Sequence, residues 1–594
     1  MKSLGLLTAL GFSFLSIHAA PAPAYHAWAM RPPMGWNSWD NFATTLTEDQ
    51  AKAQADYMAA HLKASGWEYI VVDIQWYEPG AKSHDYRKDA VLAMDEFGRL
   101  QPAVNRFPSS AEGKGFKALA DYVHGKGLKF GIHLMRGIPR QAVDRNLPVK
   151  GTQVRAQDIA NKASICPWNP DMYGVDMTRP GAQEYYDSVF ALIAEWGVDY
   201  VKVDDIARPY HDHEKEIEAI RRAIDRTGRP IVLSLSPGET ALTAAPHVTQ
   251  HANLWRISDD FWDRWLALRD QFARLEAWNP HRQPGAWPDA DMLPLGTLVL
   301  GSRTTRFTPD EQRTMMTLWS IARSPLMHGG DLTKTDPATL ALLTNEEVLA
   351  VNQDSVNNRP LFDRDELIAW TADVPGSPDK YLAVFNVRDR VRLTAENASF
   401  VSSPVEGTEG SAKIDALVEG GSRLFLVARP RTAAGEWNRV LWRDPRLVFA
   451  DGSERPLTDF TWTHADACWD STAVKKDKEG RVLGIAAEIP ALVEYALPAG
   501  AVRFRATGVI ESNGRGQKPG PMQFMVVVAT PDNTAKTGGL PVPVNLADLG
   551  LSGAVRIRDL WTHRDLGEFK AGFAPEIPWH GAGLYRITPV ANPQ

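Results

Sequence analysis

Two stretches, Tyr200-Val201-Lys202-Val203-Asp204-Asp205 and Leu254-Trp255-Arg256-Ile257-Ser258-Asp259-Asp260, each read as a short strand that ends in a pair of carboxylates. Each also carries a cation a few residues before its acids. In a β/α barrel the C-terminal ends of different strands converge on one pocket, so acids far apart in sequence can meet in space. Working outward, strand-like and helical patterns alternate from about residue 31 to 355. The strands are Met34 to Trp39, Trp67 to Trp76, Lys129 to Met135, Asp199 to Asp205, Pro230 to Ser236, Asn253 to Asp260 and Trp287 to Leu293. Between them run helices such as Thr47 to Ser65, opened by a Thr47/Gln50 capping box, and one that starts at Thr308-Pro309-Asp310-Glu311. The spacing predicts about eight βα units and hence an α/β fold of the (β/α)8 TIM-barrel type. A doubly wound sheet is disfavoured because no Gly-rich dinucleotide turn follows an early strand.

After about residue 356 the pattern changes to short alternating strands, such as Tyr381 to Phe385, Arg423 to Val427 and Met522 to Val528, separated by Gly, Pro and Asp turns. This predicts all-β sandwich domains behind the barrel. The 594 residues suffice for roughly three or four domains. The expected division is a signal peptide over 1–24, a catalytic barrel over 25–355, an antiparallel β domain from 356–391 plus 538–594, and an inserted β-sandwich over 392–537. Lys2, the apolar run Leu4 to Ile17 and the small residues Ala19 to Ala24 have the layout of a secretory leader, which predicts a secreted or periplasmic protein. No later run is long and apolar enough to span a bilayer. The 65 basic and 72 acidic residues are mixed throughout and give a mild net charge of -7, so neither nucleic acid nor membrane is an expected partner. Cys166 and Cys468 fall in different expected domains and are expected to be free thiols.

Alternation on Asp199 to Asp205 puts Tyr200, Lys202 and Asp204 on one face and Val201 and Val203 on the other. The valines suit the helix-facing side, so Lys202 and Asp204 should enter the barrel mouth while Asp205 turns away. A neighbouring Lys keeps a carboxylate ionised, as a nucleophile requires. Parity does not separate Asp259 from Asp260. Cleaving a glycosidic bond needs two carboxyl groups flanking it in different protonation states, which fits such a pair. His211-Asp212-His213-Glu214 lies where a loop enters a helix, a usual place for acids and caps, and Asp289-Ala290-Asp291 lacks a full oxygen-rich loop. No metal site is expected at either.

At these residues the chain resembles glycoside hydrolase family 27, the α-galactosidase family. The resemblance rests on Met34-Gly-Trp-Asn-Ser-Trp39, Gly66 to Trp76, Lys202-Val-Asp204, Arg256-Ile-Ser-Asp-Asp260 and Trp287-Pro-Asp-Ala-Asp-Met-Leu293. It implies a retaining exo-glycosidase acting on terminal galactosyl-type residues of an oligosaccharide or polysaccharide, with no cofactor. It implies Asp204 as nucleophile and Asp260 as acid/base. Trp36 would floor the pocket, Asp73 and Lys202 would hold sugar hydroxyls, Arg256 would contact the O2 side, and Asp291 and Met292 would line the wall. The chain departs from the family at Ile74, where the family carries the acid that reads the O6 region. Isoleucine accepts no hydrogen bond, so the alternative substrate is β-L-arabinopyranose, which has the ring stereochemistry of α-D-galactose without the hydroxymethyl carbon. The family's disulfide beside the nucleophile strand is missing, with Ile206 at the cysteine position. Leu235-Ser-Pro-Gly238 lacks the acid that helps hold O2 in animal members. Tyr381 to Asn386, Val544 to Leu551 and Arg558 to Trp561 look like strands of the family's C-terminal β domain. Within the insertion, Ile485 to Val528 weakly resembles an NPCBM carbohydrate-binding module.

Overall fold

The computed structural model describes residues 22–431, 438–511 and 520–590. All but the last three residues of the expected leader, 1–24, therefore lie outside the described residues. Eight parallel strands form the barrel: β1 (Met34–Asn37), β2 (Tyr69–Val72), β3 (Lys129–Met135), β4 (Tyr200–Asp204), β5 (Val232–Leu235), β6 (Leu254–Arg256), β7 (Trp287–Asp289) and β8 (Leu326–His328). Neighbours run in the order β7-β6-β5-β4-β3-β2-β1-β8. The ring closes just beyond β7 through a parallel bridge between Leu293 and His328, with Leu293 N donating to Met327 O at 2.8 Å and Gly329 N to Leu293 O at 3.0 Å. The (β/α)8 expectation is met.

Side-chain alternation sorts these strands into an inner and an outer core. Tyr69, Val71, Tyr200, Val232, Leu254, Trp287, Met292 and Met327 fill the barrel interior. Ile70, Val72, Phe130, Ile132, Val201, Val203, Leu233 and Trp255 pack outward against the helices. On β1 the inward position nearest Tyr69 must be glycine, because a Cβ on Gly35 would lie 2.6 Å from the Tyr69 Cβ. Both expected capping boxes are present. Gln50 N donates to Thr47 Oγ1 at 3.4 Å and Thr47 N to Gln50 Oε1 at 2.9 Å. The Thr308/Glu311 pair repeats the pattern at 3.3 and 2.9 Å.

Most strands are shorter than their hydrophobic patterns. β2 stops at Val72 because the Asp73 carboxylate caps the following turn, accepting from Ile74 N at 2.8 Å. Two features lack a sequence counterpart above. One is β8, three residues behind Pro325. The other is a small antiparallel sheet of Ile138–Pro139, Met172–Val175 and Ala160–Ile165 in the chain between β3 and β4.

Beyond the barrel, Val356–Arg364, Leu367–Asp373 and Lys380–Asn386 join Val555–Asp559, Arg564–Phe569 and Gly581–Pro589 in a six-stranded antiparallel sheet. Lys380–Asn386 pairs with Gly581–Pro589 along its whole length, from Lys380 opposite Ile587 to Asn386 opposite Gly581. Between those two strands the chain builds a separate nine-stranded sheet from Ala398–Val401 to Met522–Ala529. This sheet docks on the barrel. Leu266, at the start of helix Trp265–Trp278, packs with Phe425, Val427, Leu492, Met525 and Val527. Beside it the buried Asp466 carboxylate accepts from Arg264 Nη1 at 3.1 Å and from Leu266 N at 3.0 Å. The two cysteines are free, Cys166 buried in the barrel and Cys468 with its sulfur 3.3 Å from Arg264 Nη2.

Removing one partner from a buried ion pair leaves the other charge uncompensated. Asp466→Ala should therefore destabilise the protein by about 3 kcal/mol. A thermal unfolding scan should show a lowered transition, and an unchanged one would mean that the pair does not hold the sheet to the barrel.

Candidate active site

The C-terminal mouth of the barrel opens into a cavity of about 600 Å³. Asp73, Ile74, Lys202, Asp204, Asp259 and Asp260 face it together with Trp39, Tyr86, Trp168 and Trp262. On β4, Lys202 and Asp204 point inward while Val201 and Val203 face the helices. Asp205, at φ 58°, turns away and binds Arg136 Nη2 at 2.8 Å, and the same guanidinium meets Glu216 at 2.7 Å.

Asp204 Oδ2 lies 3.1 Å from His133 Nε2, a residue directly opposite Lys202 in the β3–β4 register. Burial by itself would raise the Asp204 carboxyl. The hydrogen bond from His133 and the charges of Lys202, His133 and Arg256 outweigh burial and hold it down at about 2. Lys202 Nζ donates to Asp73 Oδ2 at 3.0 Å, and Asn37 Nδ2 donates to the same oxygen at 2.7 Å. Burial opposes both charges, yet the pair wins: Lys202 is held above the usual ammonium range, chiefly by Asp73, and Asp73 below the usual carboxylate range, chiefly by Lys202.

Into the same cavity the segment after β6 presents two acids. Asp259 Oδ1 accepts from Asp260 N at 2.9 Å, and Oδ2 meets Arg208 at 3.3 Å, so this carboxylate is occupied in holding its own loop. Burial, reinforced by the charge of Asp260, pushes Asp259 up to about 6. Asp260 Oδ1 lies 3.3 Å from Arg256 Nη2, and its side chain remains 32% exposed, open to a proton donor or a water.

Several residues implied by the resemblance stand elsewhere. Trp36 does not floor the cavity. It alternates outward between Gly35 and Asn37, is fully buried, and donates its indole N–H to Gly330 O at 2.7 Å. Trp39, three residues on and past the end of β1, faces the cavity instead. Arg256 lies behind the wall, where its guanidinium reaches Asp291 Oδ2 at 2.7 Å. Asp291, with φ 82°, is committed to that guanidinium and to Phe261 N at 2.7 Å, so it supports Arg256 rather than lining the wall. Met292 is turned down into the inner core of the barrel. Asp73, Ile74, Lys202, Asp204 and Asp260 are brought together.

The sequence reading also missed His133 and an aromatic rim. Trp39 and Tyr86 are stacked, with ring centroids 6.4 Å apart and planes at 11°. Tyr86 continues to Trp168 at 5.7 Å, and on the other side His84 links Trp39 at 5.6 Å to Trp262 at 6.3 Å. The register partner of Lys202 could have pointed to His133; nothing in strand periodicity marks rim residues on loops. His213, in the other motif weighed for metal, is buried and hydrogen-bonded to Ile206 O at 3.0 Å, and burial pushes its imidazole down to about 4. Among the described residues no group of three or more His, Cys, Asp or Glu is placed to hold a metal ion.

Carboxylates from two strands, one held ionised, inside a sugar-sized cavity walled by aromatic rings at a barrel mouth fit a glycoside hydrolase. The family model described as alpha galactosidase A matches residues 31–144 and 169–354, and that of the alpha galactosidase C-terminal beta sandwich domain matches 524–587. The crystal structure of a GH27 β-L-arabinopyranosidase from Geobacillus stearothermophilus is 40% identical, covering 96% of this chain and 99% of that one with a TM-score of 0.68. Alpha-galactosidase A of Cellvibrio japonicus is 31% identical over 372 residues, 60% of this chain and 74% of that protein. Alpha-galactosidase 2 of Arabidopsis thaliana is 30% identical over 331 residues, 55% and 68% respectively. The chain belongs to glycoside hydrolase family 27.

Removing the His133 hydrogen bond takes away an interaction that favours ionised Asp204, so the carboxyl must titrate at higher pH. In His133→Phe the acid limb of the kcat/KM profile should move up by roughly one pH unit. An acid limb that stays in place would show that His133 does not set this ionisation.

Proposed function

We propose that the chain is a secreted, retaining exo-glycosidase that removes terminal β-L-arabinopyranosyl groups in preference to α-D-galactosyl groups. The observation that carries the choice of sugar is Ile74, which faces the cavity beside Asp73. An apolar side chain there gives an exocyclic hydroxyl no acceptor and would leave it desolvated, whereas a pentopyranose presents only a ring methylene. Gln75, the nearest polar alternative, is engaged with Asp171, its amide nitrogen 2.5 Å from the carboxylate. The 40% identical structure described as a β-L-arabinopyranosidase supports the same choice. The second reading, an α-galactosidase, came first from the sequence, and the alpha galactosidase A family model favours it.

On either sugar the steps are the same. The ionised Asp204 attacks C1 as the glycosidic C–O bond breaks, and Asp260 gives its proton to the departing oxygen. Asp260, now a carboxylate, takes a proton from water, and the resulting hydroxyl adds to C1 to release the sugar and regenerate Asp204. Lys202 and Asp73 hold ring hydroxyls, and Trp39 offers a flat apolar face to the ring C–H groups. The low Asp204 pKa suits a nucleophile that must stay ionised. Residues 392–537 are read as an inserted module that could bind carbohydrate.

Rates on nitrophenyl β-L-arabinopyranoside and nitrophenyl α-D-galactoside should favour the first. Ile74→Asp should shift that ratio toward galactoside by roughly ten- to a hundred-fold, the value of one hydrogen bond to a charged acceptor. A folded variant with an unchanged ratio would refute the role of Ile74. Asp204→Ala should lower kcat by roughly 10³-fold or more, and near-normal turnover would displace Asp204 as nucleophile. The first-formed sugar, followed by proton NMR, should keep the anomeric configuration of the substrate.

A further inference from the structure

A second cavity, of about 260 Å³, adjoins the first. The two share Asp259, Asp260, Trp262 and Arg264, so both border the segment after β6. They differ in what else they contain. Asp204, Lys202 and Asp73 face only the larger cavity. The smaller one runs along Ala267, Asp270 and Arg274 of helix Trp265–Trp278 and is closed on its far side by Arg429, Pro430, Cys468 and Pro490 of the nine-stranded sheet.

We propose that this second cavity is the aglycone subsite, built jointly by the barrel and the inserted sheet; the proposal rests on the assignment of Asp204 and Asp260 above. The acid must touch the glycosidic oxygen, so the leaving group lies on the acid's side of the sugar and away from the nucleophile. The smaller cavity contains Asp260 without Asp204, which is the polarity that an aglycone site requires. Its chemistry suits a sugar rather than an apolar aglycone: Asp270, Arg274 and Arg429 give it charged hydrogen-bonding groups, and Trp262 at the junction gives an aromatic face. Arg429 stands in the wall. Among the described residues no carboxylate lies within ion-pair distance of its guanidinium, and burial with the like charge of Arg269 holds its pKa below the ordinary guanidinium value. The leaving group recognised here is therefore a further saccharide unit. In this account the inserted sheet selects the substrate through contacts at the active site itself.

The test compares two substrates of the wild-type sugar specificity. One is the glycosyl fluoride, whose leaving group fills no subsite; the other is a disaccharide with the same terminal sugar. Arg429→Ala and Ala267→Trp, the second chosen to fill the space, should each lower the ratio of disaccharide to fluoride kcat/KM by roughly ten-fold or more, mainly through the disaccharide KM. Equal loss on both substrates, or an unchanged ratio in both folded variants, would overturn the subsite. A wild-type enzyme inactive on both arabinopyranosyl and galactosyl fluorides would instead overturn the catalytic reading, and the subsite with it.

Discussion

Two cations on barrel strands, the half-buried Lys202 and the buried Arg256, allow many carboxylates to crowd the mouth of one barrel. Asp73, Asp204, Asp260, Asp289 and Asp291 all lie within the reach of these two charges. Without them, burial would drive Asp73 and Asp204 toward the neutral form, and a neutral Asp204 could not serve as the proposed nucleophile. The cations divide the work. Lys202 belongs to the Asp204 side, tied to Asp73 at 3.0 Å, and Arg256 to the Asp260 side, tied to Asp291 at 2.7 Å and reaching Asp260 at 3.3 Å. Each sits on a barrel strand, so the fold fixes its position before any substrate arrives. Asp289, next to this network on β7, is pushed up to about 7 by burial, which is the behaviour of a carboxyl that the available positive charge does not fully cover.

The nine-stranded sheet bears on the same site from outside the barrel. Arg264 and Leu266, four and six residues beyond Asp260, are the points where the sheet grips the barrel. The loop that carries Asp260 is thus held from both ends, by Arg256 within β6 and by Asp466 from the sheet. A second brace comes from His580, whose ring stacks on Trp265 at 3.6 Å and bonds Glu311 at 2.8 Å and Asp389 at 3.1 Å. Burial opposes its protonation, but the two carboxylates outweigh burial and raise its pKa.

How much of this was legible in the sequence depended on whether a residue obeys strand alternation. Lys202, Asp204 and Asp205 do, and parity assigned their directions from the valines between them. Asp73, Ile74 and Asp260 were placed only by the family resemblance, because each lies past the last hydrogen-bonded residue of its strand. Trp36 shows the cost of a motif without geometry. Its neighbours Gly35 and Asn37 point inward, so the strand must turn Trp36 out, and the tryptophan that reaches the cavity is the one beyond the strand's end. The aromatic rim and the small sheet between β3 and β4 rest on contacts between distant loops, which no local period encodes. β8 was hidden by its length, three residues being too few to establish an alternation.

The central claim is that Asp204 is the nucleophile of a double displacement. A mechanism-based fluorosugar inactivator of the preferred glycone, followed by proteolysis and mass spectrometry, tests it most directly. The account predicts one sugar per chain, attached to the peptide that contains Asp204 and carried by that side chain. A label on Asp260 or Asp259, or release of a product of inverted configuration, would contradict it.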